Sequence, residues 1–236
     1  MNQPVTRRQR RPSRTIYERF GKRALDACLA CCGLIVSAPL LALIGLCVLL
    51  LDGSPVVFRQ NRLGRCGAQF TLYKFRTMVV GAHRSGSITT ASDPRITRLG
   101  SFLRRTKLDE LPQLYNVLLG DMALVGPRPE VPEYAHFFTE DAADILAVRP
   151  GLTGPASLVF KDEAQLLAGV ADPGRYNDEV LLPAKIELNL HYIEACSLGL
   201  DLRILAQTAL SLILAHEATP PDGRHTTTSR SHDLEG

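Results

Sequence analysis

The strongest constraint on the fold of this chain is an uncharged apolar run near its N-terminus. Residues 27–51 read ACLACCGLIVSAPLLALIGLCVLLL and contain no charged side chain. A run of about 18 such residues is enough for a membrane helix, and this run is longer than most helices in soluble cores. It is also longer than the apolar stretch of a secretion signal. The run therefore predicts a membrane-inserted segment rather than a buried core helix.

Basic residues flank this run on both sides. Residues 1–24 carry seven arginines and one lysine against a single acid, Glu18. Five further cations follow the run: Arg59, Arg62, Arg65, Lys74 and Arg76. Because basic residues mark the cytoplasmic side of a membrane segment, both ends of the run are predicted to be cytoplasmic.

A segment with both ends on one side has to turn back within the membrane. Pro39 lies near the middle of the run and removes a backbone donor, while the Ser37 hydroxyl can hydrogen-bond to a carbonyl freed by the kink. We therefore favour a re-entrant helix-break-helix. A straight spanning helix remains the alternative, since kinked spanning helices also contain proline.

Charge and cysteine content narrow the class of protein. The net charge of +3 comes from the N-terminal basic arm, which suits either nucleic acid or anionic lipid. Since an apolar run follows directly, we expect membrane lipids as partners and no nucleic acid. Four of the six cysteines lie in the apolar run, and Cys66 and Cys196 are isolated. This distribution predicts no disulfide framework and fits a reducing cytosol.

The rest of the chain predicts a small α+β domain that is mainly helical. Short apolar stretches and the turn signals between them predict strands at 56–59, 69–75 and 123–125. Helices are predicted at 96–103 and 111–119, from apolar residues at helical spacing, and at 133–148 and 176–195. Residues 81–94 and the glycine- and proline-rich 149–155 read as loops. The apolar residues 197–215 form either an interfacial helix or a core helix.

One pair of adjacent acids stands out, Asp109 and Glu110, at the start of a predicted helix in TKLDELPQLYNVLLGDMALVGPRP. Acids are common in the first turn of a helix, so helix capping is one interpretation. A second interpretation is phosphate chemistry on a metal ion. An ionised aspartate can attack phosphorus, and its neighbour can bind Mg²⁺. Adjacent helical residues diverge by about 100°, so the two carboxylates would serve different partners.

The basic residues around the pair favour the phosphate interpretation. An arginine flanked by prolines, as in the sequence GPRP, is held rigidly and suits a fork aimed at phosphate. The chain contains no P-loop, no Gly-x-Gly-x-x-Gly, no Gly-x-Ser-x-Gly and no His-Glu-x-x-His. The candidates for substrate binding are Lys74, Arg76, Arg104, Arg128 and Arg149.

Taken together, the motifs resemble the monotopic bacterial sugar transferases, which are phosphoglycosyltransferases that act on polyprenyl phosphate. The resemblance extends over residues 17–215 and rests on GKRALD, FRQNRLGR, LYKFRTM, SDPRITRLG, LRRTKLDELPQLYNVLLGDMALVGPRPE, RPGLTG and LDLRIL. It implies transfer of sugar-1-phosphate from a UDP-sugar to undecaprenyl phosphate with release of UMP. Such a reaction initiates exopolysaccharide, capsule or O-antigen-type glycan assembly.

The resemblance also implies roles for individual residues. Asp109 would be the nucleophile that carries the phosphosugar, and Glu110 would contact Mg²⁺. The N-terminal helix would be re-entrant, with Ser37 and Pro39 at the membrane break. The enzyme would lie in the bacterial inner membrane with its catalytic domain on the cytoplasmic face, and a homo-oligomer is compatible with this arrangement.

The sequence departs from the family pattern at three places. Ala38 separates Ser37 from Pro39, where the family often has serine and proline adjacent. The stretch after Gly154 reads PASLVFKDE in place of the family's WAQVNGR. Asn189 occupies a position where the family commonly has an aspartate.

We therefore expect four regions: a disordered basic arm at 1–15, a re-entrant membrane helix at 16–52, a cytosolic catalytic domain with interfacial amphipathic helices at 53–216, and a disordered tail at 217–236. The alternative is a membrane-tethered binding module in which the acid pair only caps a helix. A multispanning transferase or a soluble nucleotidyltransferase is disfavoured, because there are at most two hydrophobic segments and no glycine-rich nucleotide loop.

Overall fold

The computed structural model describes residue 17 and residues 21–82, 89–90, 93–138 and 142–217, with side chains up to residue 214. The predicted arm at 1–15, most of the predicted loop at 81–94 and nearly all of the predicted tail lie outside these residues. The described part is mainly helical with a few short strands, as predicted. Its elements are α1 (Lys22–Leu51), β1 (Val57–Leu63), β2 (Gln69–Phe75), α2 (Arg98–Thr106), α3 (Gln113–Leu119), β3 (Ala123–Val125), α4 (Ala143–Leu146), β4 (Gly151–Thr153), α5 (Pro155–Val159), α6 (Glu163–Ala168), α7 (Pro173–Tyr176), α8 (Leu182–Glu194) and α9 (Leu198–Glu217).

The apolar run forms α1, a single helix of 30 residues that includes Pro39. Helical structure continues through Ser37 and Pro39, so no break divides it into two helices. The Ser37 hydroxyl has no hydrogen-bond partner among the described residues, and the predicted contact to a freed carbonyl is absent there. Length and composition make α1 the one described helix that could cross a membrane. Its middle is exposed, with Ile35 at 69% and Val36 at 81%.

Both ends of α1 are attached to the folded part of the chain. Near the start, Lys22 forms an ion pair with Asp201 of α9, and Arg23 donates hydrogen bonds to the carbonyls of the last turn of α3. Just after the end, Arg76 donates to the carbonyl oxygens of Asp52 and Gly53. The apolar middle of α1 therefore lies between two attachment points on one domain.

The strands form two separate pairs. β1 and β2 are antiparallel, with Phe58 opposite Lys74 and Arg62 opposite Phe70. β3 and β4 are parallel, with Ala123 opposite Gly151. The β2 bounds match the prediction, and β1 extends further than the predicted 56–59.

Two sequence predictions are wrong at the level of elements. Residues 151–153, predicted as part of a turn, form β4. The reason is close backbone contact, since a Cβ on Gly151 would lie 2.1 Å from the nitrogen of Gly126. The helix predicted at 133–148 is instead a 3₁₀ segment, Pro132–Phe137, and the short helix α4, with Phe138 in a non-helical conformation between them.

The main core lies between α1, α3, α8 and α9 and includes Ala30, Val117, Met122, Tyr192 and Ile204. Asn116 is fully buried in this region and connects α3 to β2. Its side-chain amide donates to the Thr71 carbonyl at 2.8 Å and accepts from the Tyr73 amide at 3.1 Å. α9 buries one face, including Asp201, and leaves Leu202 and Leu210 about half exposed, so it is a core helix on one side only.

Candidate active site

The acid pair lies in a 3₁₀ turn, Leu108–Glu110, between α2 and α3, and not in the first turn of α3 as the sequence suggested. α3 has Pro112 at its N-cap position, and neither the 3₁₀ turn nor α3 has a side-chain cap. In the described part of the chain, neither carboxylate accepts a backbone hydrogen bond that would cap a helix. The helix-capping interpretation therefore has no contact to support it.

Asp109 is a buried acid with an unsatisfied oxygen. Its relative exposure is 5%, and its Oδ1 atom has no hydrogen-bond partner among the residues that are described. Burial first, and then the negative charge of Glu110, raise the pKa of Asp109, and the partial opposition of Lys74, Lys107 and Arg104 leaves it at about 6. At neutral pH this carboxylate is mostly ionised, and no donor among the described residues holds it.

Glu110 is held differently by its surroundings. Its Oε1 atom accepts a 2.8 Å hydrogen bond from Nη2 of Arg128, and the two side chains form an ion pair. Burial alone would raise the pKa of Glu110, but the charges of Arg128 and Lys107 outweigh it and lower the pKa to about 2. Glu110 is therefore ionised at neutral and mildly acidic pH, and it holds Arg128 beside the pair.

Two more of the predicted cations lie near Asp109. Lys74, on β2, has its ammonium 5.2 Å from the centre of the Phe58 ring, and burial together with the nearby Arg62 lowers the pKa of Lys74 to about 8. Arg104, on α2, donates from Nε to the Thr77 hydroxyl at 2.8 Å. Burial lowers the pKa of Arg104, and the charge of Asp109 opposes this effect.

Arg62 is a residue that the sequence analysis did not assign to the site. It lies on the same face of the β1–β2 pair as Lys74, because residues opposite each other in register share a face. Its Nη1 atom donates to the Pro129 carbonyl at 3.0 Å, and its buried Nε has no partner in the described structure. The signal that could have found it was its place in the motif FRQNRLGR.

The structure does not bring Arg76 and Arg149 to the acid pair. Arg76 is buried and holds the carbonyls that follow the end of α1. Arg149 donates from Nε to the Gly120 carbonyl at 2.8 Å, which lies just beyond the C-terminal end of α3. The acid pair instead precedes the N-terminal end of α3.

The carboxylates fit a Mg²⁺ ion that also binds substrate. The Oδ1 atom of Asp109 and the second oxygen of Glu110 have no hydrogen-bond partner among the described side chains and backbone groups. Mg²⁺ usually binds one or two carboxylates and completes its shell with water and substrate phosphate. No cluster of three or more His, Cys, Asp or Glu ligands occurs in the described ranges, so an ion here would depend on the substrate phosphates.

Comparison with known proteins agrees with the motifs. Residues 17–215 match the family model described as bacterial sugar transferase. A UDP-glucose:undecaprenyl-phosphate glucose-1-phosphate transferase of Caulobacter vibrioides is 36% identical over 84% of this chain and 71% of its own length. An undecaprenyl-phosphate glucose phosphotransferase of Komagataeibacter xylinus is 35% identical over 89% of this chain.

Several relatives are longer than this chain. The match covers 39% of the Komagataeibacter xylinus protein. It covers 42% of a UDP-glucose:undecaprenyl-phosphate glucose-1-phosphate transferase of Xanthomonas campestris pv. campestris, which is 36% identical over 89% of this chain. The family model nevertheless covers most of the chain, including the acid pair and its cations. The chain therefore belongs to the bacterial sugar transferase family and is an enzyme of the transferase class.

Proposed function

We propose that this chain transfers a sugar-1-phosphate from a UDP-sugar to undecaprenyl phosphate and releases UMP. The observation that carries the proposal is the buried carboxylate of Asp109, which has a pKa of about 6 and an unpartnered oxygen. Two of the relatives are named for UDP-glucose and undecaprenyl phosphate, which supplies the class of donor and acceptor.

The reaction has two displacements at one phosphorus atom. In the first, an oxygen of Asp109 attacks the sugar-linked β-phosphorus, and the bond from this phosphorus to the bridging oxygen breaks. UMP leaves with the electron pair, and the aspartate carries the phosphosugar as an acyl phosphate. In the second, a phosphate oxygen of undecaprenyl phosphate attacks the same phosphorus and releases the aspartate. The product is a lipid-linked diphosphosugar.

The surrounding cations would stabilise charge on the transferred phosphate. Lys74 and Arg104 interact electrostatically with Asp109, so a phosphate that approaches this carboxylate also approaches them. Arg128 is fixed by Glu110 and has further donors without partners among the described residues. Mg²⁺, held by Glu110, would neutralise phosphate oxygens when bound, and the free oxygen of Asp109 would remain available for attack.

We also propose that α1 is re-entrant, as one continuous helix that bends at Pro39 and returns to the side from which it entered, and that the catalytic domain lies on the cytoplasmic face of the inner membrane. Two observations support this arrangement. The apolar middle of α1 is exposed, as Ile35 and Val36 show, and both ends of the helix are attached to one folded domain. A membrane-embedded acceptor and a soluble nucleotide sugar could then meet at the membrane surface, as glycan initiation requires.

The proposal is tested with purified full-length protein, Mg²⁺ and a panel of UDP-sugars. With undecaprenyl phosphate we expect UMP release, and without the acceptor we expect the protein to gain the mass of one phosphosugar on the peptide that contains Asp109. Asp109→Asn should abolish both results. The matched control is Asp144→Asn, which removes an exposed carboxylate of α4 and should change neither. An adduct on another residue, or full turnover by Asp109→Asn, would rule out the mechanism.

A further inference from the structure

A cavity of about 70 Å³ lies at the N-terminal end of α1, separate from the acid pair. It is lined by the start of α1, by β3 and the residue that follows it, by residues 147–149 and by the end of α8. Arg23 lines this cavity and donates to the carbonyls of Val117 and Leu118, at the C-terminal end of α3. Asp109 precedes the other end of α3, so the helix, about 10 Å long, separates the two places.

The lining of this cavity is strongly basic. Among the described residues that line it, the cations are Lys22, Arg23, Arg65 and Arg149, and the one carboxylate is Asp26. Lys22 is already paired with Asp201 of α9. The pKa of Arg149 is lowered, first by burial and then by the positive charges of Arg23 and Arg65, which shows that these arginines lie close enough to repel one another. The cavity therefore has an excess of positive charge.

Two of these arginines have donors to spare. Arg149 uses Nε for the Gly120 carbonyl, and Arg65 uses Nε for the Ala147 carbonyl at 3.2 Å. The terminal nitrogens of both side chains have no hydrogen-bond partner among the described residues. A guanidinium group presents its donors as a planar fork, and this fork matches the oxygens of a phosphate group.

The cavity lies where two exposed apolar helices begin. Leu29, three residues after Asp26 in α1, is 41% exposed. Leu198, the first residue of α9 and two residues after the cavity-lining Cys196, is 44% exposed. Basic side chains beside exposed leucines match the two parts of a phospholipid, a charged headgroup and its acyl chains. Free phosphate would account for the cations but not for the apolar rim.

We propose that this cavity binds the phosphate of an anionic membrane phospholipid, whose acyl chains lie against the apolar starts of α1 and α9. The lipid is a bound partner and not a reactant, and its site does not involve Asp109. It attaches the N-terminal end of α1 and the start of α9 to the same lipid molecule. This inference is independent of the proposed transfer reaction.

The test is lipid binding by the delipidated full-length protein in a neutral detergent, without UDP-sugar. Native mass spectrometry during titration with dioleoylphosphatidylglycerol measures its affinity, and dioleoylphosphatidylcholine and inorganic phosphate are the comparison ligands. We expect the anionic lipid to bind most tightly. Arg65→Gln and Arg149→Gln should each weaken its binding by roughly ten- to a hundredfold, the loss expected for one charge-assisted contact.

The control variant is Arg175→Gln, which removes an equal charge from an exposed surface pair with Glu179 and should leave binding unchanged. Bound lipid should also slow alkylation of Cys196, which lines the cavity. Equal binding by all variants, unprotected Cys196, or phosphate binding that matches the lipid would each overturn the proposal. If Arg149→Gln fails to fold, lipid binding by Arg65→Gln decides the result, because Arg65 is exposed. Turnover of a UDP-sugar by the unaltered protein is measured separately, and it would remain even if the lipid proposal were overturned.

Discussion

Asp109 and Glu110 are neighbours in sequence, but their surroundings move their pKa values in opposite directions. Burial and the charge of Glu110 raise the pKa of Asp109 to about 6, whereas Arg128 and Lys107 lower that of Glu110 to about 2. When the surroundings move the pKa values of two neighbouring acids apart in this way, the two groups take separate roles. The free oxygen belongs to Asp109 and the ion pair to Glu110, which matches a nucleophile beside a permanently charged anchor.

Asp109→Asn should therefore abolish turnover without weakening the fold. A carboxyl group whose pKa is raised above its unfolded value of 3.8 opposes folding once it is ionised. The amide cannot ionise, so at pH 7.5 we expect it to increase the free energy of unfolding by roughly 1 to 3 kcal/mol. Urea denaturation in detergent, beside the Asp144→Asn control, measures this change. A loss of stability would instead make Asp109 a structural residue.

The rate of adduct formation should depend on pH through Asp109. Below pH 6 the carboxyl group becomes protonated and cannot attack, so the single-turnover rate should fall about tenfold for each pH unit well below this value. Glu110 stays ionised throughout this range. Lys107→Gln removes a charge that lowers the pKa of Asp109 and should move the midpoint to higher pH. A rate that is flat between pH 5 and 8 would contradict the assignment.

At the scale of elements, local pattern predicted β2 and α3 because each repeats its apolar residues at a regular period, and it predicted β3 from a short apolar run. It did not predict β4, because the two prolines and two glycines of RPGLTGP read as a turn. The strand exists because Gly126 and Gly151 allow two backbones to approach closely. The acid pair was found from its motif, but its 3₁₀ turn, set by a left-handed Lys107, was not.

Gly151→Ala tests whether this close contact positions Arg128, which follows β3. The added Cβ would lie 2.1 Å from the nitrogen of Gly126, so the two strands would have to separate. We expect a loss of about 2 to 4 kcal/mol of stability and a higher KM for the UDP-sugar. Gly169→Ala is the matched control, since its Cβ would meet only the Leu166 carbonyl at 3.6 Å. Equal behaviour of the two variants would show that the contact is not needed.

At the scale of the whole molecule, the sequence predicted a membrane segment with both ends on one side, but not the contacts that hold those ends. Lys22 meets Asp201 across 179 positions of sequence, and Arg76 meets the carbonyl of Asp52. No local period encodes such distant pairs, so Arg76 was assigned to substrate on its motif alone. Arg149 was assigned in the same way, and it lies at the far end of α3.

Attachment at both ends gives a direct prediction for topology. Single cysteines at Ser13 and Ser54, in a variant without reactive native thiols, should both resist an impermeant thiol reagent added to spheroplasts and both react after permeabilisation. The reason is that both flanks are basic and that Lys22 and Asp52 contact the same domain. Labelling of one position alone in intact spheroplasts would mean that α1 spans the membrane. Asp201→Asn, which removes the partner of Lys22, should make that outcome more frequent, because it loosens the N-terminal attachment while the C-terminal one remains.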